Sequence, residues 1–172
     1  IEEIWHGLEF PYGNLFQWLR NETSKPKIDF KKLFHPMMLA NPIDEEKDFK
    51  RLNASEFQAE YKWDGIRVQL MVSSKSVSLY SRTGDNISSA FPEIVENTKG
   101  DAVIDGELLV GRNFKPSGFN DLQQRLNRKK ASKDLQEKFP VFIRAYDILF
   151  YKGKDLRKLF LHERSCLLYT SD

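Results

Sequence analysis

The chain has 172 residues, of which 40% are hydrophobic and 30% charged, enough for one good core and part of a second domain and unlike a disordered chain. A formal net charge of +2 is too mild to demonstrate nucleic-acid binding, although basic residues can still cluster locally. The one cysteine, Cys166, excludes an internal disulfide and argues against a Cys-based zinc site, and with no membrane-length apolar run and no signal peptide evident, a cytoplasmic (intracellular) protein is expected.

Residues 1–35 are rich in aromatics: Trp5, Phe10, Tyr12, Phe16, Trp18, Phe30 and Phe34. Leu15, Trp18 and Leu19 have helical spacing after Asn14, a candidate cap, and Asp29 is a candidate cap for a second short helix carrying Phe30, Leu33 and Phe34. Such an aromatic stripe is read as packing. Residues 36–56 form a connection with Pro36, Pro42 and a charged run from Asp44 to Arg51, read as a solvated helix face. Within it, the apolar stretch Pro36 to Ala40 is expected to lie against the strands that follow.

From Phe57 the pattern changes to strands. Ile66, Val68, Leu70 and Val72 alternate with Arg67, Gln69 and Met71, which predicts a strand with one buried face. Ser73 to Ser76 is a turn, and Val77, Leu79 and Ser81 complete a hairpin. It ends in Ser81-Arg82-Thr83-Gly84, where Gly84 permits a tight turn that presents Arg82. Ala90 to Asn97 is a short helix with Pro92 in its first turn.

In residues 102–112, Ile104, Leu108 and Val110 point one way and Asp105 and Glu107 the other. Two carboxylates on one face of an otherwise apolar strand must meet water, a cation or a ligand. Phe119, Leu122 and Leu126 then have helical spacing. The basic run Arg125, Arg128, Lys129, Lys130 and Lys133 reads first as a solvated helix end and second as a DNA-backbone contact. Val141 to Tyr151 predicts a central strand. Its Phe142, Arg144, Tyr146, Ile148 and Phe150 share one parity and Val141, Ile143, Ala145, Asp147 and Leu149 the other. A last helix begins near Leu156 and runs to Arg164.

The chain is organised around Glu60-Tyr61-Lys62-Trp63-Asp64-Gly65-Ile66-Arg67. Lys62 is read as set in a tight turn between two strands, held at a fixed point. A lysine near other cations loses its proton more readily and acts as a nucleophile, and Arg67 offers a planar fork suited to phosphate. The plain alternative is a surface hairpin with a solvated lysine.

The string around Lys62 resembles motif I of the covalent nucleotidyltransferases: DNA ligases, RNA ligases and mRNA capping enzymes. Ser81-Arg82-Thr83-Gly84 looks like motif Ia of the DNA ligases, Asp105-Gly106-Glu107-Leu108 like motif III, and Ala145-Tyr146-Asp147-Ile148-Leu149 like motif IIIa. The four occur in order across residues 60–149, and Arg67 with the Ser-Arg-Thr-Gly string resembles the ATP-dependent DNA ligases more than the NAD-dependent ones. The resemblance implies an α+β fold: an ATP-grasp-like nucleotidyltransferase (adenylation) domain of antiparallel sheets flanked by helices, incomplete at its C-terminus and preceded by a short helical region. It implies the end of a helical, DNA-binding-like region over 1–35, a connection over 36–56 and a partial adenylation domain over 57–164. Residues 165–172 are expected to be a non-native tail.

In function, the resemblance implies three-step ligation serving DNA replication, repair and recombination. Lys62 takes up AMP from ATP, the adenylate passes to a 5′-phosphate at a nick, and the 3′-hydroxyl displaces AMP. Glu60 would contact adenine, Arg67 the phosphate or ribose, Glu107 the ribose or a Mg²⁺ ion, Tyr146 the base by stacking, and Arg82 a DNA phosphate, with Asp105 in support. The cofactors implied are ATP and Mg²⁺, and the partner is nicked duplex DNA. A downstream adenylation-domain segment with motifs IV and V and an oligonucleotide-binding domain are expected in the full chain. The alternatives are an RNA ligase or capping-type nucleotidyltransferase, a non-catalytic nucleic-acid binding scaffold, and a fragment unable to fold alone.

Overall fold

The computed structural model describes residues 8, 11–26, 34–74, 76–126, 128 and 130–170. Trp5, Phe10, Phe30, Lys129 and the second short helix read after Asp29 lie outside them. The first helix, α1 (Gly13–Leu19), starts one residue earlier than the reading from Asn14 and has no side-chain cap; Tyr12, in a left-handed conformation, precedes it. The charged run forms the short α2 (Glu45–Asp48). Asp44 caps it by accepting from the Lys47 amide, and its residues are largely exposed, as a solvated face requires.

The α+β architecture is one antiparallel sheet of six strands flanked by helices. The strands are β1 (Ile66–Val72), β2 (Val77–Ser81), β3 (Ala102–Arg112), β4 (Lys115–Pro116), β5 (Val141–Tyr151) and β6 (Lys154–Asp155), in spatial order β2-β1-β3-β5-β6 with β4 paired to the end of β3. The β1–β2 hairpin closes with Val72 opposite Val77. One face of the sheet carries the main core. Val68, Leu70, Val72, Leu79, Leu108 and Val110 pack with Phe91 and Leu122, which come from the segment before α3 (Pro92–Asn97) and from α4 (Phe119–Leu126). Each such side chain contributes roughly 1.5–3 kcal/mol on burial.

Arg125 leaves the basic run at this point. It is fully buried, donates to the carbonyls of Ala90 (2.9 Å) and Phe139 (2.7 Å), and pairs with Glu93 at 2.6 Å. It is therefore a bolt between α3, α4 and the end of α5 (Lys133–Lys138), and neither solvated nor available to DNA. Arg128, Lys130 and Lys133 are exposed.

The reading that only one face of β1 is buried is corrected. Gln69 and Met71 are buried too, because the chain at Phe34 and His35 crosses that face. His35 donates its amide to Gln69 Oε1 (2.7 Å), Gln69 Nε2 donates back to the His35 carbonyl (3.0 Å), and the His35 ring stacks on Phe150 with centroids 4.6 Å apart. Met71, Val103, Leu149 and Phe150 form a second cluster beneath it. Met38 and Leu39, expected against the strands, are exposed; the strap is held by His35 and by backbone groups, not by those side chains.

The strict parity read for β5 also fails. Its register to β3 shifts twice: Gly106 faces Ala145 and Asp105 faces Asp147, then Ile104 faces Ile148 and Val103 faces Phe150. Tyr146 and Leu149 are the extra residues, and such bulges re-aim the side chains around them. The last helix, α6 (Leu161–Thr170), starts later than the reading from Leu156, because residues 156–160 form a turn closed by the Leu159 amide on the Leu156 carbonyl, and it continues beyond Arg164, where the sequence pattern stopped; Ser165 is buried and Leu167 and Leu168 half-buried. Arg164 anchors it to β5 through a two-pronged pair with Asp147, at 2.7 and 3.0 Å.

Candidate functional site

The strand expected ahead of Lys62 does not form: residues 57–63 carry no regular structure, and the chain bends at Asp64–Gly65 before entering β1. The bend is pressed onto β3. A Cβ at Gly65 would stand 2.4 Å from the Leu108 carbonyl oxygen and 2.9 Å from Glu107 Cγ, so only glycine fits there. The Gly65 backbone thus lies directly against the Glu107 side chain, which sets the lysine turn onto the neighbouring strand. Burial raises the Glu107 carboxyl above its ordinary value; the Gly65 N–H and Arg67 oppose this, and nearby Asp64 adds to it.

Strand register explains the rest of the cluster. Arg67 faces Glu107 across the β1–β3 ladder, and Gln69 faces Asp105, so all four side chains share one face. Arg67 donates to Asp105 Oδ2 (3.1 Å) and to the Met38 carbonyl (2.7 Å). Asp105 is 3% exposed and also accepts from Gln69 Nε2 at 2.9 Å. Burial is the main influence on its carboxyl and raises it, against the pull of Gln69 and Arg67. The bulge on β5 brings Tyr146 to this same group, with the Arg67 guanidinium 5.7 Å from its ring centroid. Burial pushes the Tyr146 phenol up to about 12, so it stays neutral and serves as a ring and a hydrogen-bonding hydroxyl.

Beside this cluster opens a cavity of about 590 Å³, walled among others by Glu60, Tyr61, Trp63, Phe114, Arg144 and Tyr146 and by Leu168 and Tyr169 of α6. That volume suits a small-molecule ligand, and its lining of aromatic rings with a few polar groups is of the expected kind. Glu60 and Tyr146, picked from sequence, thus share one cavity. Lys62 stands in the chain between the wall residues Tyr61 and Trp63; its own side chain is exposed, does not line the cavity and has no ion-pair partner among the described residues. Arg82 is exposed on the turn after β2, where Thr83 and Asp85 bond to Ser81 Oγ and Gly84 has φ 88°; it too is outside the cavity wall. Among the described residues, no group of three or more His, Cys, Asp or Glu side chains is gathered to hold a metal.

Sequence reasoning missed Trp63, Phe114 and Arg144 as wall residues and the Asp147–Arg164 pair behind them. The available signal was two charges, Arg144 and Asp147, inside an otherwise apolar strand.

The family described as ATP dependent DNA ligase domain matches residues 37–171. Among curated relatives, a probable DNA ligase of Koribacter versatilis is 37% identical over 145 residues, covering 80% of this chain and 24% of that protein. A DNA ligase of Methanococcus aeolicus is 34% identical over 145 residues, covering 80% of this chain and 25% of its own length. Among solved structures, a mycobacterial DNA ligase D complexed with ATP and MES superposes with a TM-score of 0.53 at 27% identity, covering 64% of this chain and 35% of that one. The chain therefore spans about a quarter of the length of these curated relatives. With most of its length matched by the family and its sheet shared with a solved ligase, the chain belongs to the ATP-dependent DNA ligase domain family.

Proposed function

We propose that this chain carries the nucleotide-loading step of an ATP-dependent DNA ligase, with Lys62 as the nucleophile. The observation that supports it most is the place of Lys62 between Tyr61 and Trp63, two wall residues of a cavity that is also lined by Glu60 and Tyr146. ATP enters with its base against Tyr146 and Glu60. The Lys62 amine, having given up a proton, attacks the α-phosphorus; a P–N bond forms, the P–O bond to pyrophosphate breaks, and AMP remains on the lysine. Arg67, fixed by Asp105 and the Met38 carbonyl, sets the positive potential on the ribose and phosphate side. Positioning and charge neutralisation at phosphorus are the protein's main contributions.

Mg²⁺ binds through few carboxylates together with substrate phosphates, and Glu107, half-buried beside Asp64, is the carboxylate that would hold it and so offset phosphate charge. In the whole protein the adenylate passes to the 5′-phosphate of nicked duplex DNA inside the cell, and the 3′-hydroxyl displaces AMP. Arg82, displayed on an exposed turn, contacts a backbone phosphate, which positions the duplex without reading its sequence.

The test is label transfer from α-labelled ATP, with GTP and NAD in parallel, analysed under denaturing conditions. Label from ATP that survives denaturation and is lost in Lys62→Ala is expected. A folded chain that takes no label, or a Lys62→Ala chain that still takes it, overturns the proposal; label from GTP in place of ATP moves the chain to the capping type.

A further inference from the structure

We infer that Arg144 is a positioning residue that clamps the lysine turn through Trp63, an inference resting on the assignment of Lys62 as nucleophile. Arg144 faces Glu107 in the β3–β5 register, a position from which a salt bridge would be ordinary. Among the described residues no ion pair joins the two. Instead its guanidinium carbon lies 4.2 Å from the centroid of the Trp63 ring, and Nη2 donates to the Phe114 carbonyl at 3.0 Å. A guanidinium this close to an indole face is a favourable cation–π contact. Its Nε is buried without a hydrogen-bond partner, so stacking on Trp63 outweighs satisfaction of every donor.

The two groups it holds are the ones in need of holding. Residues 58–63, which include Lys62, make no backbone–backbone hydrogen bond among the described residues. On its C-terminal side the turn is fixed by the close approach of Gly65 to Leu108 and Glu107 on β3; on its N-terminal side Trp63 is the residue stacked against β5. Phe114 belongs to the Asn113–Phe114 turn between β3 and β4. Both residues are left-handed, with φ 51° and 58°, although neither is glycine. Strain of this kind persists where the surroundings over-determine the backbone, and it collects at ligand sites. Here it aims the Phe114 carbonyl at Arg144 and leaves the ring, 71% exposed, on the cavity wall. One side chain on β5 thus joins the lysine turn, the β3–β4 turn and the strand that carries Tyr146.

The test uses Arg144→Met, which keeps the apolar stem, and Arg144→Lys, which keeps a charge without the planar fork. Acrylamide quenching of Trp63 emission is measured in a Trp5→Phe/Trp18→Phe background, which needs no activity. Single-turnover label transfer from ATP is measured across ATP concentrations, with thermal midpoints alongside. Arg144→Met is expected to raise Trp63 quenching and to lower the maximal adenylylation rate about tenfold, the size of a lost cation–π contact plus a hydrogen bond, with little change in half-saturating ATP. Arg144→Lys is expected to restore part of the rate. Unchanged quenching, an unchanged rate, or a rate loss fully explained by a smaller folded fraction overturns the inference while leaving Lys62 in place. Failure of the wild-type chain to take label overturns the assignment of Lys62 and this inference with it.

Discussion

Replacing Asp147 with Asn keeps the shape of the side chain but removes its charge and one of its two acceptors, leaving Arg164 a single neutral acceptor there besides the Leu159 carbonyl at 2.6 Å. The pair it breaks is two-pronged, at 2.7 and 3.0 Å, and the side chains are 9% and 12% exposed for Arg164 and Asp147. Hydrogen bonds to charged groups contribute about 1.5–3 kcal/mol each, and breaking a buried pair from one side costs about 3–5 kcal/mol because a charge is left stranded. Some water reaches both groups and the Leu159 carbonyl remains, so the lower end applies: Asp147→Asn should destabilise the chain by about 3 kcal/mol. Arg164→Met, which strands only the carboxylate at the sheet edge of the pair, should cost a similar amount, and the double variant much less than the sum. Urea unfolding monitored by circular dichroism reads these values. Because the pair fixes α6, whose Leu168 and Tyr169 wall the cavity, Asp147→Asn should also weaken nucleotide uptake in the fraction that remains folded. A loss below about 1 kcal/mol, or single effects that simply add, would refute the view that this pair bolts α6 to β5.

Three further outcomes are expected. Gly65→Ala forces a Cβ to within 2.4 Å of a backbone oxygen, so it should cost about 1–3 kcal/mol in the same unfolding assay and abolish adenylylation by moving the turn; a neutral substitution would contradict the close approach. Glu107 has a carboxyl raised in the folded state, so its contribution to stability is full below the unfolded value, near 4.5, and is lost as pH rises through the folded value. Glu107→Gln should therefore gain stability relative to wild type above that window and lose the advantage in acid, while failing in label transfer; an advantage that grows in acid would reverse the sign. Arg82→Ala should leave adenylylation intact and lower the slope of log affinity against log salt for nicked DNA by about 1, as loss of one phosphate contact predicts; an unchanged slope in filter binding would remove Arg82 from the DNA surface.

What was legible in the chain is what local alternation encodes. The apolar parity of β1 and β3 placed Asp105 and Glu107 together, and the register then set Arg67 opposite Glu107 and Gln69 opposite Asp105. The Asp64–Gly65 bend was legible as turn chemistry, although the reason for glycine, its contact with Leu108, lies on another strand. On β5 alternation misled, because a bulge costs one residue and leaves no trace in hydrophobicity. Had β5 been regular, Tyr146 and Asp147 would have pointed to opposite faces. The two register shifts put Tyr146 beside Arg67 and give Asp147 to Arg164, so a cavity-wall residue and a helix anchor come from consecutive positions.

The arginines show where sequence runs out. Arg125 and Arg128 sit three apart in one basic run and look alike by composition, yet Arg125 is wholly buried on two carbonyls and a carboxylate while Arg128 is exposed. The difference is the chain that returns at Phe139 and Ala90, both distant in sequence. Arg67 and Arg144 likewise stand on strands either side of the same carboxylates, but one pairs with Asp105 and the other stacks on Trp63. An arginine carries five donors and a flat face, so its role follows from which acceptors and rings the fold brings within reach. At this site the fold brings two kinds of partner to two arginines: carboxylate and carbonyl oxygens to Arg67, and an indole to Arg144. That division leaves Asp105 paired with Arg67, and Glu107, half-buried against Gly65, without a direct ion pair among the described residues.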